Sequence, residues 1–359
     1  MKIITVIGAR PQFVKAAVVS RALLNINNIE EIMVHTGQHF DKNMSEIFFE
    51  EMEIPKPQYN LHINGLSHGA MTGQMLQGVE DLCIKEKPDY MLVYGDTNST
   101  LAGALAAKKL GIGVIHIEAG LRSFNRTMPE EINRILTDSI SDILFCPTDT
   151  SVFNLNNEGI RDGIVKIIKN GDVMQDAAIY YANKSEERSS IIKQLGLRSN
   201  DFVLATLHRQ ENTDDINNLT SIIKAFSLIA KEVKLIIPLH PRTRKIIERE
   251  KIRTNFSIID PVGYFDMLEL LKNCKMVLTD SGGLQKEAYF FNKYCITLRN
   301  ETEWVELIQN GFNQLAGADT EKILELFQMF SNMKFSKHLE LYGGGKAAEI
   351  ISKTLAEII

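Results

Sequence analysis

Short β-branched runs alternate with amphipathic stretches along almost the whole chain, and that alternation restricts the fold more than any other feature. Ile3–Ile7, Glu31–His35, Tyr90–Val93, Gly113–Ile117, Ile143–Cys146 and Val165–Ile168 read as strands. Phe13–Leu24, Ala70–Lys87, Ser99–Leu110 and Glu130–Ser139 carry apolar residues at helical spacing. Apolar strands alternating with helices predict right-handed βαβ units and a parallel sheet covered on both sides. The pattern restarts with Phe202–Thr206, Val233–Pro238, Phe256–Ile259, Met276–Thr279 and Cys295–Thr297. The polar segment Asn183–Asn200 leads into this second set and puts a boundary near residues 170–185. At 359 residues the chain also exceeds the roughly 250–300 at which single cores stop growing. The fold class is therefore α/β, with two doubly wound parallel-sheet (Rossmann-like) domains facing a central cleft. Their expected limits are 1–175 and 176–344, and a final helix at 345–359 is expected to pack back on the first.

The net charge of −5 offers no general attraction for nucleic acid or an anionic membrane, and neither is expected as a partner. No apolar run approaches the roughly 20 residues that span a bilayer, and the start of the chain does not read as a signal peptide. Cys83, Cys146, Cys274 and Cys295 lie far apart with no CxxC pair or Cys/His cluster, so buried thiols are expected, with no metal. Together these features predict a cytoplasmic protein.

Ligands of open parallel sheets bind beyond the carboxyl ends of the strands, so the residues following each strand are the candidates. Thr279-Asp280-Ser281-Gly282-Gly283-Leu284-Gln285-Lys286-Glu287 follows one strand and runs into a helix. Ser281 suits a helix cap, Gly282 and Gly283 admit a ligand to the backbone amides, and the helix dipole favours a phosphate there. Glu287 is placed to accept hydrogen bonds from ribose hydroxyls. A plain capped helix explains these residues equally well. Gly8-Ala9-Arg10-Pro11-Gln12-Phe13-Val14-Lys15 lacks GxGxxG, yet Arg10 and Lys15 bring two cations to a strand end, either for a diphosphate or as a solvated helix start. Asp96 follows an apolar strand, where capping the next helix is its simplest role. Glu118 ends a fully apolar strand, where desolvation raises a carboxyl toward the range of a general acid or base. Glu130 opens a helix behind Pro129, as dipole complementarity alone would favour. His208, Arg209 and Glu211 follow one strand, and His240 with Arg242 follows the next; two such strand ends favour an anion site over isolated structural histidines.

Taken together, GARPQFVK, HTGQH, YGDTNST, HIEAGLR, MPEEINR, LHRQEN, LHPRT and TDSGGLQKEA resemble, in family order, the non-hydrolysing UDP-N-acetylglucosamine 2-epimerases. The resemblance runs from residue 2 to about residue 350. It implies the glycosyltransferase-B arrangement of two Rossmann-like domains, a homodimer, and cofactor-free epimerisation at C-2 of a UDP-sugar for cell-surface polysaccharide precursors. UDP is eliminated to leave a bound glycal and is then added back after the C-2 proton returns on the opposite face. The resemblance assigns catalysis to Asp96, Glu118, Glu130, His208 and Lys15. It assigns substrate and UDP binding to Arg10, His240, Ser281, Gly282, Gly283 and Glu287, and a regulatory UDP-sugar site to Gln38; Arg209 and Glu211 join the substrate and UDP site on their position after the strand. UDP-N-acetylglucosamine, giving UDP-N-acetylmannosamine, is the expected substrate. Glu301-Thr302-Glu303-Trp304, with Trp304 where many members carry a cleft arginine, is similar to a branch acting on UDP-2,3-diacetamido-2,3-dideoxy-glucuronic acid. A hydrolysing relative, a glycosyltransferase and a non-catalytic UDP-sugar sensor are the other readings.

Overall fold

The computed structural model describes residues 1–38, 53–336 and 339–358, the side chain of Arg10 excepted. It divides into two compact units, Met1–Ala177 with Glu340–Ile359, and Ala178–Leu339.

In the first unit β1 (Lys2–Ile7) lies between β2 (Glu30–His35) and β4 (Tyr90–Tyr94). The sheet continues through β3 (Tyr59–Asn60) on one side and β5 (Gly113–Ile117), β6 (Ile143–Cys146) and β7 (Lys166–Lys169) on the other. All seven strands are parallel, in the order β3-β2-β1-β4-β5-β6-β7. Ile3, Ile4, Val6 and Ile7 point alternately to both faces and all are fully buried, which requires a helical layer on each side. The helices are α1 (Arg10–Leu23), α2 (His68–Glu86), α3 (Asn98–Lys109), α4 (Pro129–Ile140) and α5 (Asp149–Asn157). Small residues bring α3 close to the sheet: a Cβ on Gly103 would stand 3.2 Å from Val93 and 3.3 Å from Val6. Strand order reverses between β1 and β4, so the carboxyl ends of β1, β4 and β5 collect around the switch point where such sheets bind ligands.

Helix α6 (Val173–Arg188) carries the chain across the division, followed by the short α7 (Ile191–Gln194). The second sheet repeats the winding with β8 (Phe202–Thr206), β9 (Lys234–Pro238), β10 (Ser257–Ile259), β11 (Val277–Thr279), β12 (Cys295–Thr297) and β13 (Asn313–Leu315). Its order, β10-β9-β8-β11-β12-β13, again reverses beside the first strand. Around it run α8 (Gln210–Thr213), α9 (Ile216–Ile229), α10 (Pro241–Arg249), α11 (Tyr264–Asn273), α12 (Gly282–Phe290), α13 (Val305–Gln309) and α14 (Thr320–Ser331). One core joins Val203, Ala205, Ile237 and Leu278 of the strands to Ile222 and Phe226 of α9 and to Phe327 of α14. The four cysteines are buried thiols. Among the described residues no helix is long and apolar enough to cross a membrane.

The last helix, α15 (Ala347–Ala356), belongs to the first unit and packs on α1. Its first amides are capped from outside the helix: Asp176 accepts from Ala347 N at 3.1 Å and Ala348 N at 2.7 Å. Beside this cap, Gln175 donates to Glu340 and accepts from Gly344 N, and Tyr342 O accepts from Asp172 N. Burial outweighs the two amide bonds and pushes the Asp176 carboxyl up from 3.8 to about 6. A folded value above the unfolded one means that the native state binds the extra proton, so this contribution to stability is present below 3.8 and lost as pH rises through about 6. The stability of wild type relative to Asp176→Asn should therefore fall across that window and level off above it. Urea titrations of both proteins at a series of pH values measure the difference; a constant gap would refute the assignment.

Candidate active site

Glu118 follows β5 with φ of +73°, a left-handed conformation that an L-residue adopts only under constraint. Glu118 N and Ala119 N both donate to Phe145 O, which holds the turn. The strained backbone brings the Glu118 carboxylate into an ion pair with Lys15, and both side chains are nearly buried. Gly95, at φ of +61°, leaves the space for this pair, because a Cβ there would lie 2.9 Å from Glu118 Oε2 and 3.3 Å from Lys15 Nζ. Asp96 follows at once. Arg134 Nε and Nη2 hold its Oδ2 at 3.0 and 2.9 Å, and Asn133 donates to its carbonyl at 2.9 Å. Although a third of the Asp96 side chain is exposed (34%), burial pushes its carboxyl up, with Glu118 adding to the effect and Arg134 and Lys15 opposing it. The structure thus gathers Lys15, Asp96 and Glu118 at one sheet edge.

Gln12 explains why the first turn is not a nucleotide nest. Its buried amide accepts from Gly8 N at 2.8 Å and Ala9 N at 3.0 Å, and donates to Tyr94 O and Thr100 Oγ1, both at 2.9 Å. The backbone donors that would meet a phosphate are already satisfied within the protein. The Arg10 side chain lies outside the described residues. Gln38 accepts from Ser99 Oγ at 2.8 Å, so it sits against the start of α3.

Helix α4 is inverted. Glu131, Asn133, Arg134, Thr137 and Asp138 are buried, whereas Ile132 and Leu136 are nearly half exposed. Glu131 accepts from the amides of Ser123 and Phe124, at 3.0 and 2.9 Å, and pairs with Arg134. Asp138 meets His116, Arg122 and Gly120 N. Burial alone would raise the Asp138 carboxyl, but His116 and Arg122 hold it below its ordinary range. Glu130, by contrast, is exposed at the first turn of α4.

In the second unit Asp280 is the organising group. Its Oδ2 accepts from His208 N at 2.9 Å and Arg209 N at 2.8 Å, and its Oδ1 stands 3.0 Å from His208 Nδ1. Burial opposes ionisation, yet His208 and the two amides keep the Asp280 carboxyl below its usual range. The other face of the His208 ring is open, since half the side chain is exposed (49%). Helix α12 begins at Gly282 after Ser281, with no side-chain cap on its first amides, and nothing lies within 4 Å of where a Cβ would stand on Gly283. Glu287 is buried one turn on. His240, exposed, caps α10 through its Nδ1, which accepts from Arg242 N at 3.3 Å. Arg209 is half-buried and Glu211 exposed. Trp304 is buried: its indole donates to Gly282 O at 2.9 Å and lies 4.0 Å beneath the Lys286 ammonium, so it underpins the start of α12. Among the described residues no cluster of three or more His, Cys, Asp or Glu is placed to hold a metal.

A family model described as UDP-N-acetylglucosamine 2-epimerase matches residues 21–356. The UDP-2,3-diacetamido-2,3-dideoxy-D-glucuronate 2-epimerase of Pseudomonas aeruginosa is 55% identical over the full length of both chains. The solved Methanocaldococcus jannaschii UDP-GlcNAc 2-epimerase, in complex with UDP-GlcNAc and UDP, is 42% identical with a TM-score of 0.90, covering 99% of this chain and 100% of that one. The Neisseria meningitidis UDP-GlcNAc 2-epimerase bound to UDP-GlcNAc is 32% identical, also with a TM-score of 0.90, and the coverage is again 99% and 100%.

Sequence reasoning passed over Asp280, Asp138 and Arg134 as functional groups, because their partners lie at distant positions in the chain. The only local hint is polarity where α4 and the end of β11 would otherwise be apolar. Replacing Asp280 with Ala strands two part-buried amides and should cost about 1–3 kcal/mol at neutral pH. Because the native carboxyl lies below its unfolded value, this contribution is present above 3.8 and lost as pH falls through the depressed native value. Chemical denaturation of wild type and Asp280→Ala from neutral to acid pH measures it, and a gap that widens on acidification would contradict the geometry.

Proposed function

The chain belongs to the UDP-N-acetylglucosamine 2-epimerase family and is an isomerase that epimerises a UDP-sugar; on that premise we propose how its residues divide the work. One task is to move a proton on and off C-2. The other is to hold a diphosphate while it leaves C-1 and returns.

The observation that carries the first task is the Lys15–Glu118 pair beside Asp96. Two carboxyl groups in one electrostatic environment, one neutralised by an ammonium and the other raised by burial, suit a base and an acid of different strength. Departure of UDP from C-1 forms the C-1–C-2 double bond as the C-2 proton is taken. Return of a proton to the opposite face of C-2 and attack of UDP on C-1 complete inversion, with no net change in protons or electrons. Asp96, Glu118 and Glu130 serve this exchange, and Lys15 supports it by setting the charge of Glu118.

The second task falls to the amides of Gly282 and Gly283 behind Ser281, with Arg10, Arg209 and His240 as donors to phosphate oxygens. Glu287 and Glu211 accept from the nucleoside hydroxyls. His208, oriented by Asp280, provides a proton to the leaving diphosphate or the sugar. Gln38 belongs to a regulatory UDP-sugar site. A cytoplasmic homodimer completes the reading; Ile132 and Leu136 on the outer side of α4 support self-association, which analytical ultracentrifugation measures.

Of the two substrates, the 2,3-diacetamido uronic acid has the stronger support. The relative named for it is 55% identical over its whole length. Trp304, withdrawn beneath α12, also stands where the resemblance puts a cleft arginine in many members. Incubating each UDP-sugar in heavy water and following C-2 by NMR tests the reading: deuterium incorporation with epimer formation, and no acceptor or free sugar, is expected. Retention of the C-2 hydrogen with both substrates would defeat it.

Asp96→Asn, Glu118→Gln or His208→Ala should lower turnover by about 10²–10⁴-fold while UDP affinity stays close to wild type. Gly282→Val should instead weaken UDP binding, since a side chain there collides with Glu303 and screens the helix amides. Calorimetry with UDP and steady-state rates separate the two classes, and wild-type turnover in any of the first three variants would remove that residue from the mechanism.

A further inference from the structure

The structure assigns His116 a positioning role that it fills as an imidazolium, a reading that rests on the proposed function because Asp96 and Glu118 are what it positions. The ring is fully buried. Its Nδ1 stands 2.7 Å from Asp138 Oδ1 and its Nε2 stands 2.8 Å from Gly95 O. A peptide carbonyl has no proton to give. Asp138 already receives Arg122 Nη1 at 2.7 Å and Gly120 N at 3.1 Å on its other oxygen, and it is held as a carboxylate. With acceptors on both sides, only a ring protonated at both nitrogens satisfies the two contacts. A neutral ring would turn a lone pair toward an oxygen in a site without solvent.

The charges around the ring close. Asp138 faces it from α4, and Arg122 faces Asp138 from the loop after β5. Glu158, just beyond α5, binds that guanidinium through two bonds, at 2.7 and 2.6 Å. Cys146, near Asp138 on β6, has its thiol pushed up by burial and stays neutral. Two cations thus meet two anions, and the buried imidazolium is not an unpaired charge.

The ring reaches the candidate acids through the backbone. Gly95 immediately precedes Asp96, and Gly95 N donates at 2.9 Å to Ile117 O, the residue before Glu118. On the other side Asp138 fixes Gly120 N, two residues beyond Glu118. Both glycines have positive φ, so each turn is held at a point where the chain reverses. His116 therefore clamps the two turns on which Asp96 and Glu118 stand without touching substrate itself. A displacement of about 1 Å at such groups costs about 10²-fold in rate.

The test uses the full chain labelled with ¹⁵N-histidine. Long-range ¹⁵N–¹H correlation spectra at neutral pH should show both His116 nitrogens protonated, as acceptors on both sides of the ring require. Asp138→Asn, which removes the facing charge, should convert the ring to a single neutral tautomer under the same conditions. His116→Gln should lower kcat by about 10²-fold with KM within about 3-fold, the split expected of a group that acts on the reacting geometry and not on binding. A neutral ring in the wild-type spectrum overturns the assignment even if the glutamine variant does not fold, and so does a folded glutamine variant with wild-type kcat. Failure of the functional reading is separate: it would appear as wild-type protein that exchanges no C-2 hydrogen, whatever the ring spectrum shows.

Discussion

Helix α4 turns its charges toward the protein and its aliphatic residues outward, and the first unit's site depends on the cost of doing so being offset. A buried ion that loses its partner destabilises a fold by about 3–5 kcal/mol, so such a helix persists only when every inward charge is met. Glu131 is met by Arg134 and two loop amides, Arg134 also by Asp96, and Asp138 by His116, Arg122 and Gly120 N. Apart from the Glu131–Arg134 pair within the helix and the bond to His116 in β5, these bonds end on segments that follow a β-strand. The same interactions that make the inverted helix tolerable therefore fix the loops after β4 and β5, and with them Asp96 and Glu118. Stability and site geometry are one network here.

The second unit solves the corresponding problem with one buried acid. Asp280 follows β11 and bonds the backbone that follows β8, so neighbouring strand ends are locked across the point where strand order reverses. The two doubly wound sheets differ in what they leave open. After β1, Gln12 consumes the turn's amides; after β11, the amides at Gly282 and Gly283 carry no side-chain cap, and Trp304 supports the turn from its carbonyl side. One sheet presents side-chain acids and the other presents backbone donors. That difference follows from a glutamine in one turn and two glycines in the other.

The alternation of strands and helices was legible because both faces of each sheet are buried, which imposes continuous apolar runs that stand out in sequence. Gly113–Ile117, Ile143–Cys146, Phe202–Thr206 and Cys295–Thr297 are strands at the limits their composition suggests. β3 and β13 were not legible, since two or three residues at a sheet edge are held by pairing and not by hydrophobic pattern. Lys15, Asp96, Glu118 and His208 could be singled out because each follows a strand. What they pair with could not: Lys15 and Glu118 are 103 residues apart, and His208 and Asp280 are 72 apart. Glu130 and Glu131 show the limit most clearly. Side by side and chemically alike, one is exposed and the other fully buried against Arg134, a distinction set by helical phase against a loop whose path the residues do not announce.

The backbone at Glu118 connects these points. A left-handed conformation at a residue other than glycine costs about 1–3 kcal/mol, and nothing about chain reversal requires it when Gly95 and Gly120, nearby, take positive φ without that penalty. A glycine at 118 would relieve the strain and remove the carboxylate. The strained turn thus places an acid where the chain turns left, within reach of Lys15 and beside Asp96. It is held in place by two amides on Phe145 O, by the room that Gly95 leaves, and by the ring of His116 two residues earlier. Release of any one of these restraints would let the turn relax toward an ordinary conformation and carry the carboxylate away from its ammonium.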